Sequence, residues 1–170
     1  MSDTCLLDTN VVSALWDSLD SNHVQTRDVI FRDRQSDYMC VSPITLAEIE
    51  FGLHLNTAVN ERRRQEVRRC MRQSDFAVVP VDERVCRWYG RFKGRLFNRY
   101  APRDKRNRIR SKWLSDLRDA SSGKELGVEE NDLWQVSTAA TYDLLFITYD
   151  RMRRIRAELS AFVRIEILSG

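Results

Sequence analysis

An α/β architecture, a parallel sheet with helices on both faces, is what the pattern of this chain predicts, and two observations carry it. Five short strand-like apolar runs recur along the sequence, at Thr4 to Asp8, Tyr38 to Val41, Phe76 to Val81, Leu144 to Thr148 and Phe162 to Leu168. Stretches with helical spacing or helix-start residues separate them, and that alternation is the mark of a parallel sheet.

The elements follow in order. Val11 to Trp16 opens a helix after the first strand, and Val24, Ile30 and Phe31 recur at helical spacing over His23 to Asp33. In SPITLAEIEFGL, residues 42 to 53, Ser42 is the expected N-cap and Pro43 the first helical residue, with Ile44, Leu46, Ile49 and Leu53 as the buried stripe. Residues 60 to 74 form a charged helix, Asp82 starts another, and Asn131 and Asp132 begin the helix that runs through Ala139 and Ala140. Between them lies a basic stretch, residues 95 to 125, broken by Pro102, with Lys112 to Arg118 read as helical and a turn at Ser121, Ser122 and Gly123. It is read as an insertion within a single domain spanning residues 1 to 170.

Composition excludes several classes. The chain has 42% hydrophobic and 31% charged residues, as a globular protein does, and no apolar run approaches the length of a membrane span. Met1 to Asp3 lacks the basic and apolar segments of a secretory signal, so a cytoplasmic protein is expected. Cys5, Cys40, Cys70 and Cys86 show no CxxC spacing and read as reduced thiols. With His23 and His54 the only histidines, metal chemistry is left to oxygen ligands. The net charge of +3 conceals an asymmetry, because Arg91 to Arg118 holds eleven Lys or Arg against Asp104 and Asp116. A phosphate-bearing partner fits that density, with Arg103, Lys105, Arg106, Arg108, Arg110 and Lys112 as the candidate contacts. Trp88, Tyr89, Trp113 and Trp134 read as core or interface anchors.

Ligands of open α/β sheets bind outside the carboxyl ends of the strands. Asp8 ends the first strand, Glu48 lies in the second turn of the helix after the second, Asp132 stands at a helix start, and Asp150 ends FITYD, so all four can converge there. Bare carboxylates gathered in one pocket repel, so either their pKa values rise or a divalent cation compensates, and Mg²⁺ or Mn²⁺ suits an all-oxygen set. Thr9, Asn10 and Thr148 are the polar neighbours expected to orient the carboxylates. Each residue also has a plainer reading. Asp8, Asp132 and Asp150 could be helix or turn caps, Asn10 a turn residue, Thr148 a strand filler, and Glu48 a surface acid, although Gly52 one turn later leaves its face room.

The segments CLLDTNVVSAL, SPITLAEIEFGL and EENDLWQVSTAATYDLLFITYD together resemble the three signature blocks of the PIN-domain ribonucleases, in particular the toxin subunits of VapBC-type toxin–antitoxin pairs. The resemblance implies a three-layer sandwich with a central parallel sheet of four or five strands. It also implies a Mg²⁺- or Mn²⁺-dependent endoribonuclease with Asp8, Glu48, Asp132 and Asp150 as its acids, leaving a 5′ phosphate and a 3′ hydroxyl. A homodimer and a cognate antitoxin, laid across the acidic groove with a basic side chain in the cluster, are implied as partners. The chain departs from the family where an Ile-Ala-Ala run is usual, since Gln135, Val136 and Ser137 stand there, and its basic insertion is long. A PIN-like nuclease of RNA processing and a non-catalytic RNA-binding scaffold are the alternatives. A phosphatase is disfavoured by Asn10 where its second Asp would stand, and a receiver domain by the missing acidic pair.

Overall fold

The computed structural model describes residues 3–55, 61–118 and 123–169. Five parallel strands form one sheet in the order β3-β2-β1-β4-β5: β1 (Thr4–Leu7), β2 (Tyr38–Val41), β3 (Ala77–Val78), β4 (Leu145–Thr148) and β5 (Arg164–Ile167). Because β1 is central, the chain winds outward in one direction through β2 and β3 and in the other through β4 and β5. The crevice at that reversal opens at the carboxyl ends of β1 and β4.

Seven α-helices among the described residues cover the sheet: α1 (Thr9–Trp16), α2 (His23–Asp28), α3 (Pro43–Leu55), α4 (Glu61–Gln73), α5 (Glu83–Tyr100), α6 (Glu130–Tyr142) and α7 (Arg153–Leu159). Alternate strand residues feed two cores, as the two-residue period of a strand requires. Leu6, Cys40 and Phe146 face Phe92, Leu133, Val136 and Leu159 of α5, α6 and α7. Cys5, Leu7, Val41 and Ile147 face Val12, Leu15, Ile49 and Val67 of α1, α3 and α4. The result is the three-layer sandwich, and no described helix is long and apolar enough to cross a membrane. All four cysteines are free, and burial pushes the Cys5 thiol up to about 11 and the Cys40 thiol up to about 12, which makes both inert.

Several elements depart from the sequence pattern. The third strand shrinks from Phe76–Val81 to Ala77–Val78, because it is an edge pairing only with β2, and Pro80 has no N–H to extend it. Phe162 lies before β5, in a turn, where its ring meets Trp88 and Phe92. α2 gives way to one π-helical turn at Val29–Asp33, so the helical period is lost; Ile30 is buried, while Val24 and Phe31 are exposed. In α3, Ile49 and Leu53 are buried, Ile44 and Leu46 only half-buried, and Thr45 takes a buried place between them.

Lys112 to Arg118 forms only a 3₁₀ turn at Leu114–Asp116. Its two apolar side chains, Leu114 and Leu117, sit three apart and suit such a turn, and Arg118 leaves to bridge Glu125. Ser121 and Ser122 of the expected turn lie outside the described residues, whereas Gly123 is described with φ +66°, in the left-handed region. Trp113 is 65% exposed rather than an anchor of the core. The other three aromatics are partly buried; Tyr89 stacks on Trp134 with centroids 3.8 Å apart, and Trp88 tilts against Phe92.

Candidate active site

The site is built on Asp8, the residue that follows β1 and caps α1. Its backbone N–H donates to the Ile147 carbonyl of β4 at 2.9 Å, which fixes the residue across the central strand pair. The side chain is 4% exposed and accepts three hydrogen bonds. Oδ1 takes the Thr9 N–H at 2.7 Å and the Gln135 amide at 3.1 Å, and Oδ2 takes the Thr148 hydroxyl at 2.5 Å. The cap reading of Asp8 is thus correct as far as it goes, but a cap alone needs neither the amide nor the hydroxyl from distant elements.

Glu48 comes in from α3. The Thr9 hydroxyl donates to its Oε2, as does the Gln135 amide at 3.3 Å, and Asn131 Nδ2 donates to Oε1 at 2.8 Å. It is not a free surface acid. Glu50, two residues on, does behave as one, pairing with Arg68 at 2.9 Å on the outside of α3.

Asp132 stands in the first turn of α6, with the Glu129 N–H 3.4 Å from its Oδ2. Burial pushes its carboxyl up to about 7, and the charges of Asp8, Glu129 and Asp150 push the same way, against the Glu129 N–H. Asp8 is raised as well, first by burial and then by the charge of Glu48, while the bonds from Thr148, Thr9 and Gln135 oppose the rise. Asp150 lies exposed at the rim, its own N–H given to the Thr148 hydroxyl at 2.9 Å and its Oδ1 accepting the Met152 N–H at 3.2 Å.

The expected polar neighbours divide. Thr148 grips Asp8 and Thr9 grips Glu48, whereas Asn10 touches no carboxylate. Its amide donates to the Thr148 hydroxyl at 3.1 Å and its carbonyl takes the Tyr149 N–H at 3.1 Å, so it ties α1 to the end of β4 and aims the Thr148 proton at Asp8. Gln135, which the sequence marks only as a departure from the family's Ile-Ala-Ala run, is a functional residue of the site. It is 1% exposed, its Nε2 lies 3.1 to 3.3 Å from oxygens of Asp8, Thr9 and Glu48, and its Oε1 accepts the buried Thr45 hydroxyl at 2.9 Å. The available signal was a polar residue three after Asp132, about one helical turn on and so on the same side of α6 as that acid. Asn131 and Thr45 were missed for the same reason, since only the fold brings them to Glu48 and Gln135.

Hard oxygen donors with raised pKa values suit a divalent cation in charge and donor type. Among the described residues, no three His, Cys, Asp or Glu side chains close around a single point as they stand. The fit is therefore one of chemistry, with Asp8 and Asp132 the two groups whose protonation reports uncompensated charge.

The PIN-domain sequence profile matches residues 5–158, from β1 into α7. The chain belongs to the PIN-domain family. PIN domains are generally nucleases, so nucleic-acid hydrolysis is the chemistry against which the acids are to be measured. No curated protein sequence matches closely enough to count as a relative. Solved structures share the fold. VapBC2 from Rickettsia felis, bound to a DNA fragment from its promoter, has 13% identity over 98% of this chain and 99% of that one, with a TM-score of 0.65. FitAcB from Neisseria gonorrhoeae has 22% identity over 95% and 96%, with a TM-score of 0.59. VapBC-5 from Mycobacterium tuberculosis, of the VapBC family of toxin-antitoxin systems, has 24% identity over 99% of both chains, with a TM-score of 0.56.

Two outcomes follow for this PIN domain. Folded Asp132 keeps its proton to about pH 7, whereas the unfolded chain loses it near the ordinary 3.8, so between those values the folded state binds more protons and stability falls as pH rises. In EDTA, the urea midpoint of the wild type is expected to drop from about pH 5 to about pH 7.5, and Asp132→Asn to flatten the drop; parallel curves would contradict the assignment. Gln135→Leu, which strips the amide from Asp8, Glu48 and Thr45, is expected to lose about 1–3 kcal/mol of unfolding free energy at neutral pH. An unchanged urea midpoint would show that the bridge holds nothing.

Proposed function

We propose that this PIN domain is a metal-dependent endoribonuclease and the toxin subunit of a toxin–antitoxin pair, working in the cytosol. The observation that supports it best is the buried Asp8, held by three neutral donors and linked through Gln135 and Thr9 to Glu48, with Asp132 raised to about 7 beside it. Hydrogen bonds soften a buried acid but leave the charge of neighbouring carboxylates uncompensated. A cation bound there would compensate it.

Asp8, Asp132, Asp150 and Glu48 would hold Mg²⁺ or Mn²⁺, which when bound supplies polarisation of the scissile phosphate and a lowered pKa for an attacking water. The chain's own residues prepare that site. Thr148 and Gln135 lock both oxygens of Asp8, so its carboxylate cannot turn toward solvent. Thr9 and Asn131 hold Glu48 inward, and the half-buried Asp132 would give up its proton as a doubly charged ion bound beside it. No protein nucleophile is required, and in-line attack by water leaves a 5′ phosphate and a 3′ hydroxyl.

The toxin reading draws on the fold shared with the VapBC structures. An antitoxin segment bearing an Arg or Lys would inhibit by placing its cation among the carboxylates where the metal belongs. A homodimer is part of the same reading.

The test is cleavage of total RNA by purified protein in Mg²⁺, Mn²⁺ and EDTA, with the cut ends mapped. Cleavage is expected only with metal, and Asp8→Ala and Asp132→Ala are each expected to lose at least about a hundredfold in rate, the scale of losing one charge-stabilising group. Equal cutting by all three proteins would end the assignment.

A further inference from the structure

The long connection between α5 and α6 carries a small structure of its own. Arg103 and Ile109 pair as an antiparallel bridge, the Asp104 N–H donates to the Arg108 carbonyl at 3.0 Å, and the Asn107 N–H returns to the Asp104 carbonyl at 2.8 Å. Asn107 closes the turn at φ 58°, in the left-handed region that Asn tolerates better than most residues. One acid organises this hairpin. Asp104 Oδ1 accepts the N–H groups of Arg106 and Arg108 at 2.8 and 3.0 Å, and Oδ2 holds the guanidinium groups of Arg108 and Arg110 at 3.0 to 3.2 Å. Ile109 packs against the larger core and roots the hairpin in the body.

Asp104 answers Arg108 and Arg110 and leaves other cations uncancelled. Lys105 and Arg106 at the tip, and Lys112 beyond it, are exposed, and none of the three has a carboxylate partner among the described residues. Beside Lys112 stands Trp113, 65% exposed, on a stretch that the buried Leu114 holds down. An exposed indole next to unpaired cations is expensive to keep in water and pairs well with a polyanion whose bases offer flat faces.

The buried Leu114 sets the position of the indole. Its N–H is close enough to the Glu130 carboxylate to help lower its pKa, and that carboxylate takes Lys93 Nζ at 2.7 Å and the Tyr89 hydroxyl. Glu130 is the first residue of α6 and stands two before Asp132. The chain at Trp113 and Leu114 therefore lies near the start of the helix that carries Asp132.

We propose that residues 103–113 form a single-stranded RNA arm, in which Lys105, Arg106 and Lys112 take backbone phosphates and Trp113 stacks on a base next to the acidic site. The proposal rests on the ribonuclease reading for its substrate, but not on catalysis. The sign of the charge favours RNA over an antitoxin segment that delivers a cation to the acids, because the hairpin would repel such a segment.

The test is fluorescence anisotropy with a labelled oligouridylate of about twelve nucleotides in EDTA, where metal-dependent cutting is off. Trp113→Ala is expected to weaken binding about tenfold, the scale of one lost base stack, and Trp113→Phe to restore most of it. The double variant Lys105→Ala/Arg106→Ala is expected to flatten the slope of log affinity against log salt by about 1.4, from about 0.7 for each single-strand phosphate contact. An unchanged affinity in Trp113→Ala together with an unchanged slope in the double variant overturns the arm. So does a wild type that does not bind the oligonucleotide, or a Trp113→Ala protein that loses self-association while binding RNA normally. Binding that depends on the arm in a protein that never cuts RNA would defeat the ribonuclease reading and leave the arm standing. Normal cutting with arm variants that bind as the wild type does would defeat the arm alone.

Discussion

Negative charge gathered where water is scarce is the constraint around which this molecule is arranged. Asp8 is almost completely buried, and the groups that hold it, a backbone N–H, a hydroxyl and an amide, are dipoles that can soften an ionised carboxylate without cancelling it. Burial first, and then the field of Asp8, hold the proton of Asp132 to about pH 7. Folding alone does not favour such an arrangement, since each buried carboxylate lowers stability as it ionises. Functional sites keep strain of this kind when the surrounding structure over-determines the geometry.

The sheet order provides that over-determination. With β1 in the middle, α3 following β2 delivers Glu48 from one side, β4 delivers Thr148 and Asp150 from the other, and α6 lowers Asp132 and Gln135 from above. Gln135 then locks the pieces together, its amide nitrogen turned to two carboxylates and its oxygen fixed by Thr45. The place where this chain departs from the PIN pattern is thus a polar strut inside the site, and Thr45 is the small buried hydroxyl that makes a glutamine orientation unique there.

How much of this was legible beforehand depends on the range of the interaction. The α/β order, the caps at Ser42 and Asp82 and the placement of four acids at strand ends and helix starts are local facts of spacing and propensity, and they can be read along the chain. Thr148 could be named for the same reason, as the polar residue in an otherwise apolar strand. The other partners of Glu48 and Gln135 could not, because Asn131 and Thr45 meet them across sequence separations of 83 and 90 residues. Asn10 reaches Asp8 only through the Thr148 hydroxyl. Trp113 misleads a composition argument: aromatic residues usually belong inside, and only the buried Leu114 and Leu117 around it determine that its ring points out.

Charge is sorted over the molecule as a whole. The acids line the crevice at the strand ends, and the densest cations stand on a hairpin rooted in the core by Ile109. A polyanion approaching the cations is thereby led toward the acids, which would repel it unless a doubly charged ion were present.

The most direct measurement of that claim is calorimetric titration of Mn²⁺ into the metal-free protein at about pH 6.5, in two buffers of different ionisation enthalpy, so that affinity and proton release are read together. Saturable binding with release of protons, both lost in Asp8→Asn, is the predicted result. Equal binding by the Asp8→Asn protein, or no binding by the wild type, would contradict the account.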